Sequence, residues 1–107
     1  MTRGEIYRVR DPEGDPKRFR CFVVVSRQSL INTRFSSVIC APVFSRGIDL
    51  ETQVPIGIDQ GMKHESWVAC DNLASIRKTE LSHFVGSLSR SKMHELDDAL
   101  RVALGLD

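Results

Sequence analysis

Short apolar segments separated by turn-forming residues constrain the fold of this chain more than any other feature. The clearest are residues 21–25, 36–43 and 66–70, which are rich in valine, isoleucine, alanine and cysteine. Runs of this length and composition predict β-strands rather than core helices. Further short strands are expected at 6–10, 52–56 and 85–88, with helical turns at 28–32 and 78–84.

The last part of the chain has the pattern of an amphipathic helix. Ser89 suits the N-cap position and Gly105 suits a left-handed C-cap. Apolar residues recur between them on one helical face, namely Met93, Leu96, Leu100, Ala103 and Leu104. We therefore predict a mainly β protein with α (α+β), a small and strongly bent β-barrel packed by that helix. A length of 107 residues suits one domain, residues 1–107.

Proline, glycine and aspartate residues predict where one loop and one edge strand lie. The segment 11–16 is dense in aspartate, proline and glycine, and it is expected to be a loop. Pro55 cannot donate a backbone hydrogen bond, which predicts that strand 52–56 lies at an edge of the sheet.

The net charge of +1 conceals two halves of opposite sign. Residues 1–46 hold nine Lys and Arg against four Asp and Glu, whereas residues 47–107 hold six against ten. The balances of +5 and −4 predict an anionic partner for the first half, although charge alone does not specify nucleic acid.

The cysteines and the hydropathy pattern indicate a cytoplasmic protein. Cys21, Cys40 and Cys70 are odd in number and lie in apolar runs, so we expect free buried thiols. They lack the paired spacing of a zinc site, and we expect no metal and no other cofactor. No apolar run approaches the length of a membrane span, and the N-terminus does not have the pattern of a signal peptide.

Cations and aromatic rings lie at the boundaries of two predicted strands. If these strands are neighbours, the groups share one rim of the sheet. Guanidinium and hydroxyl groups suit a phosphate and phenylalanine suits a stacked base, which favours single-stranded nucleic acid. The residues are Lys17, Arg18, Phe19 and Arg20 before strand 21–25, and Phe44, Ser45 and Arg46 after the next strand.

Several short motifs follow one another in a recognisable order. They are Arg3-Gly4-Glu5-Ile6-Tyr7, Asn32-Thr33-Arg34, Ala41-Pro42-Val43-Phe44-Ser45, Cys70-Asp71-Asn72, Val85-Gly86-Ser87-Leu88-Ser89 and Ala103-Leu104-Gly105-Leu106. Their order and spacing resemble the MazF/PemK toxins of bacterial type II toxin–antitoxin systems across nearly the whole chain. The resemblance implies an SH3-like barrel of the MazF/CcdB kind.

The resemblance also implies an activity. Such toxins are homodimeric, metal-independent endoribonucleases that cut single-stranded RNA, including mRNA, at short sequences and so inhibit translation and growth. The 2′-hydroxyl attacks, giving a 2′,3′-cyclic phosphate and a 5′-hydroxyl. A cognate antitoxin with an acidic, disordered tail occupies the RNA groove, which lies along the dimer interface.

The family's site residues carry over with departures. The catalytic arginine before the second strand matches Arg20, although Cys21 follows it where the family usually has proline. The usual threonine after the Pro-Val pair is Phe44, with Ser45 next, and Ala69 stands where some relatives have an arginine. Either Ser45 supplies the hydroxyl, or the transition state is stabilised without one.

Asp71 could accept the 2′-hydroxyl proton or hold Arg20 in place, and Asn72 could read a base edge. His64 could approach RNA, although a solvated loop histidine is the commoner case.

Two other functions stay open from the sequence. The missing threonine at position 44 is compatible with an RNA-binding module that does not cleave. A gyrase poison of the CcdB type would share the fold. Those toxins depend on a C-terminal Trp-Gly-Ile, whereas this chain ends in Leu104-Gly105-Leu106-Asp107.

Overall fold

A computed structural model describes residues 1–10 and 18–106 of the chain. Within these residues seven strands form one antiparallel sheet, and a long helix follows it. The strands are β1 (Glu5–Arg10), β2 (Phe19–Val24), β3 (Ser37–Phe44), β4 (Gln53–Ile56), β5 (Ser66–Ala69), β6 (Ala74–Arg77) and β7 (His83–Ser87). The helices are α1 (Gln28–Ile31) and α2 (Arg90–Leu104), and single 3₁₀ turns span Ile58–Gln60, Cys70–Asn72 and Lys78–Glu80.

The sheet is strongly curled around its longest strand. The strand order is β4-β5-β3-β2-β1-β7, and β6 pairs with the first half of β3. The turn after β4 reaches the last strand, where a Cβ on Gly86 would lie 1.9 Å from the carbonyl oxygen of Gln60. Glycine is therefore required at position 86, because any side chain would push the two ends of the sheet apart. This curled half-barrel with a C-terminal helix confirms the predicted fold class.

Alternation along the strands builds two apolar cores, one on each side of the sheet. One core packs against α2 and includes Ile6, Val23, Ala41, Val68, Leu96 and Ala99. The other includes Val9, Phe22, Val24, Val38, Cys40 and Ile76. Because neighbouring residues in a strand face opposite sides, a run such as Phe22–Val24 contributes to both cores, which explains why it is apolar throughout.

The helix α2 confirms the predicted caps. Ser89 accepts a hydrogen bond from the backbone N–H of Lys92, and Gly105 has the left-handed conformation with φ of 68°. The helical turn near residues 28–32 is confirmed as α1. The edge position of Pro55 is confirmed as well, since β4 ends the strand order and pairs with β5.

Among the predicted strands, two begin two residues earlier than expected, and the other strand ends differ by one residue or none. The strand β2 begins at Phe19, so Phe19 and Arg20 belong to the strand instead of preceding it. The prediction of a helix over 78–84 was wrong. Only Lys78–Glu80 forms a 3₁₀ turn, and His83 and Phe84 belong to β7. Pairing with β1, together with an edge-to-face contact between Phe84 and Tyr7 at 5.9 Å, overrides the local preference. The loop predicted over 11–16 lies outside the described residues.

Candidate nucleic-acid cleft

A cleft of about 510 Å³ opens where β2 begins and β3 ends. Its polar and aromatic lining comes from four strands, β1, β2, β3 and β5, and from the segment between β4 and β5. These residues are Arg8 on β1, Arg18, Phe19, Arg20 and Cys21 at β2, Phe44 and Ser45 at β3, and Lys63, His64 and Ser66. The structure thus brings together the two groups that the sequence placed at one rim of the sheet.

Strand register explains why these residues meet. Cys21 pairs with Val43, so Arg20 lies beside Phe44 at the end of the β2–β3 ladder. On the other side of β3, Phe44 pairs with Trp67. The adjacency of β2 and β3, which the sequence reasoning had to assume, is therefore observed.

Two arginines that line the cleft, Arg8 and Arg20, lie against aromatic rings, as does Arg10, which is also in β1. The guanidinium carbon of Arg20 is 5.3 Å from the ring centroid of Phe44. Those of Arg8 and Arg10 are 5.0 and 5.9 Å from the centroid of Phe19. A cation–π contact orients a guanidinium, contributes about 0.5–1 kcal/mol at an exposed site, and does not cancel its charge. The rings therefore fix the orientation of the Arg8 and Arg20 guanidinium groups at the rim.

The remaining residues predicted near this rim divide into three cases. Ser45 is exposed and lines the cleft, as does Arg18. Arg46 is exposed and follows Ser45 without lining the cleft. Lys17 lies outside the described residues.

Asp71 and Asn72 are not brought to the cleft. Both are exposed in the 3₁₀ turn Cys70–Asn72, and Asp71 lies four residues beyond Trp67, past the far end of β5. The Asp71 carboxylate accepts a hydrogen bond of 2.6 Å from the Thr52 hydroxyl. Ser66, at the start of β5, lines the cleft, and the strand then runs away from Arg20. Asp71 and Asn72 follow the other end of β5 and are therefore distant from the cleft.

Arg8 is the lining residue that the sequence reasoning missed. It pairs with Cys21 across the β1–β2 ladder, and nothing in an alternating strand marks which polar residue faces a cleft. Burial raises the pKa of the Cys21 thiol, and the nearby positive charge of Arg8 lowers it in part. The positive charge of Arg8 therefore acts on a second residue that lines the cleft, Cys21.

His64 and Ser66 form the opposite wall. His64 is exposed, whereas Ser66 is buried with 1% of its surface accessible. The Ser66 hydroxyl donates to the carbonyl oxygen of His64 at 3.2 Å and lies 3.5 Å from its Nδ1. The sequence reasoning placed His64 near RNA only as a loop residue, without this support.

The cysteines are free thiols in the part of the chain that the structure describes. Cys40 and Cys70 are buried free thiols, and burial raises their pKa to about 12 and about 11. Residues 1–10 and 18–106 contain no group of three or more His, Cys, Asp or Glu side chains placed to hold a metal ion. In the same residues no helix has the length and apolar character that a membrane crossing needs.

Comparison with known proteins gives consistent matches over almost the entire chain. The sequence model for a PemK-like, MazF-like toxin of type II toxin–antitoxin system matches residues 2–104. The protein named endoribonuclease MazF3 of Mycobacterium tuberculosis (strain CDC 1551 / Oshkosh) is 28% identical over 85 residues, which cover 79% of this chain and 82% of that protein.

Solved structures agree with the family match. The Mycobacterium tuberculosis toxin MazF-mt6 superposes with a TM-score of 0.83 at 25% identity, covering 96% of this chain and 98% of that one. A mycobacterial endoribonuclease in complex with its cognate antitoxin has a TM-score of 0.86 at 23% identity, covering 100% and 97%, and shows the shared fold. The chain therefore belongs to the PemK-like, MazF-like toxins of type II toxin–antitoxin systems.

Proposed function

We propose that this toxin is an endoribonuclease that cleaves single-stranded RNA, with mRNA as the target whose loss stops translation. The observation that carries the proposal is the cleft in which Arg20, supported by the Phe44 ring, lies with Ser45 and Arg8. The cations suit the phosphodiester and the exposed ring of Phe19 suits a base. The name of the M. tuberculosis relative, endoribonuclease MazF3, supports the same activity.

The proposed reaction uses the substrate as its own nucleophile. The 2′-hydroxyl oxygen bonds to the adjacent phosphorus, and the bond from phosphorus to the 5′-oxygen breaks. Negative charge builds on the phosphoryl oxygens, and Arg20 stabilises it with its forked N–H donors. Ser45 donates one hydrogen bond to the same group. This chemistry makes no demand for a bound metal.

Phe44 takes a supporting role in this proposal. The residue stands where the family usually has threonine, and its ring lies under the Arg20 guanidinium. We propose that Phe44 orients Arg20 and that the hydroxyl function moves to Ser45. Asp71 and Asn72 are kept as candidate contacts for nucleotides that extend beyond the cleft.

The partners follow from charge and from the family. We propose a homodimer and a cognate antitoxin, as the solved complex of the mycobacterial relative contains an antitoxin. An acidic, disordered segment of that antitoxin would complement the basic rim. We also propose a cytoplasmic location, which the three free cysteines support.

The proposal is tested with purified protein and a long single-stranded RNA in EDTA. We expect discrete fragments with 2′,3′-cyclic phosphate and 5′-hydroxyl ends, and no cleavage where the nucleotide at the cut carries a 2′-deoxyribose. Arg20→Ala purified in parallel controls for contaminating nucleases. A parallel reaction contains magnesium in place of EDTA. Binding without cleavage in both would favour the non-catalytic module, and cleavage only with magnesium, giving 5′-phosphate ends, would contradict the mechanism.

A further inference from the structure

His64 lies on the ridge between two clefts. It lines the cleft that contains Arg20 and Ser45, and it also lines a second cleft of about 420 Å³ bounded by Asp59 and Lys92. Its imidazole is exposed and therefore accessible to a nucleotide that passes through the first cleft. This places a group capable of moving protons in the same cleft as the proposed phosphate site.

The hydrogen bonds of His64 determine which ring nitrogen carries a proton. Its Nδ1 lies 3.2 Å from the backbone carbonyl oxygen of Glu65. A carbonyl oxygen only accepts, so Nδ1 donates and carries a hydrogen. The nearby Ser66 hydroxyl already donates to the His64 carbonyl, which leaves its oxygen as an acceptor on the same side of the ring. Both contacts leave Nε2 as the nitrogen for exchange with a ligand.

Besides His64, the cleft residues that could give up a proton are weaker acids. Lys63 also lines the cleft, but a lysine ammonium is ordinarily a weaker acid than an imidazolium. The departing 5′-oxygen becomes an alkoxide unless it is protonated as the bond to phosphorus breaks. Arginine retains its proton in proteins, so Arg20 and Arg8 stabilise charge without supplying a proton. A serine hydroxyl is a weak acid. Histidine is the side chain most often used for this step.

We propose that His64 is the general acid of the cleavage reaction, an inference that rests on the proposed endoribonuclease activity. As the 2′-oxygen bonds to phosphorus, its proton passes to a solvent water. The Nε2 proton of the His64 imidazolium passes to the 5′-oxygen as the phosphorus–oxygen bond breaks. The neutral ring that remains keeps its hydrogen on Nδ1, and the Glu65 carbonyl and Ser66 oxygen stabilise that tautomer. Solvent then reprotonates Nε2.

The test compares two leaving groups at one mapped cleavage site. One oligoribonucleotide has the normal 5′-oxygen, and the other has sulfur in that bridging position. A thiolate leaves without protonation, so it does not need a general acid. For His64→Gln we expect single-turnover cleavage of the oxygen substrate to fall on the order of 100-fold or more, and cleavage of the sulfur substrate to stay near the wild-type rate.

The matched control is His94→Gln, which alters an exposed histidine on α2 that does not line the cleft. It should cleave both substrates at wild-type rates. Equal slowing of both substrates by His64→Gln would assign His64 to binding and overturn the inference, as would wild-type cleavage of both. Wild-type protein that cleaves no RNA would overturn the proposed function and, with it, the role of His64.

Discussion

The cleft and the helix α2 use charged residues in opposite ways. In the cleft, Arg8 and Arg20 lie over phenylalanine rings. On α2, charged side chains form ion pairs within the fold: Arg3 with Asp97, Lys92 with Glu95, and Arg101 with Asp98. A carboxylate holds a cation by charge, whereas an aromatic ring orients a guanidinium by packing against it. The charges of the helix therefore contribute to its own pairing, and the rings of the cleft orient Arg8 and Arg20 toward the space that a ligand would fill.

Mutations in the two regions should therefore have different effects. Changes in the cleft should alter RNA cleavage and leave stability almost unchanged. Changes on α2 should alter stability and leave cleavage unchanged, because no residue of α2 lines the cleft that contains Arg20. Mutations in either region can test whether cleavage and stability are separable.

The largest effect is expected for Arg20→Ala. Removing the principal charge stabiliser should slow cleavage roughly 100- to 1000-fold, or about 3–4 kcal/mol, as for a lost oxyanion-hole donor. Stability should fall by less than about 1 kcal/mol from the lost contact with Phe44. Single-turnover kinetics and thermal melting measure the two quantities. A folded variant with normal turnover would remove Arg20 from the mechanism.

Ser45 and Phe44 sharpen the comparison within the cleft. Ser45→Ala should slow cleavage by roughly 1–3 kcal/mol, the value of a hydrogen bond to a charged group. Phe44→Thr should not raise activity, because it removes the ring under Arg20. Both variants are measured on one RNA. If Ser45→Ala is silent and Phe44→Thr is more active, the hydroxyl belongs at position 44.

The N-cap of α2 tests the other region. Ser89→Ala removes the hydrogen bond from the Lys92 backbone N–H and should lower the free energy of unfolding by about 1 kcal/mol. Cleavage measured well below the melting temperature should match the wild type. Ser87→Ala, at an exposed serine of β7, is the control for a change without a cap. Reduced cleavage by folded Ser89→Ala would show that the two regions are coupled.

The smallest effect is expected for the ion pair of Asp98 and Arg101. Both side chains are largely exposed, at 78% and 55%, so water and salt screen their attraction. A double-mutant cycle with Asp98→Asn and Arg101→Gln should give a coupling energy of about 0.3–0.5 kcal/mol that shrinks at high salt. A coupling above about 1 kcal/mol, or any loss of cleavage, would contradict the assignment of these charges to the helix surface.

Much of the cleft could be predicted because its two main groups flank strands that are neighbours in the sheet. Arg20 and Phe44 lie at the end of the same ladder, so local sequence next to each strand was sufficient once the two strands were assumed to be neighbours. The position of Asp71 was not predictable in this way, because Asp71 follows the end of β5 that points away from the cleft. Arg8 and His64 were not predicted as partners of Arg20, since their positions depend on the register of β1 and on the path of the segment between β4 and β5.

What the sequence by itself determined is what depends on near neighbours in the chain. The caps of α2, the turn at α1 and the apolar character of β2 and β3 rest on contacts within a few residues or on simple alternation. The tertiary structure decided where β2 starts, that His83 and Phe84 join a strand, and which strand ends form one cleft. Those outcomes depend on pairing between distant segments, whose burial and hydrogen bonds outweigh local preference and have no signature in a short window of sequence.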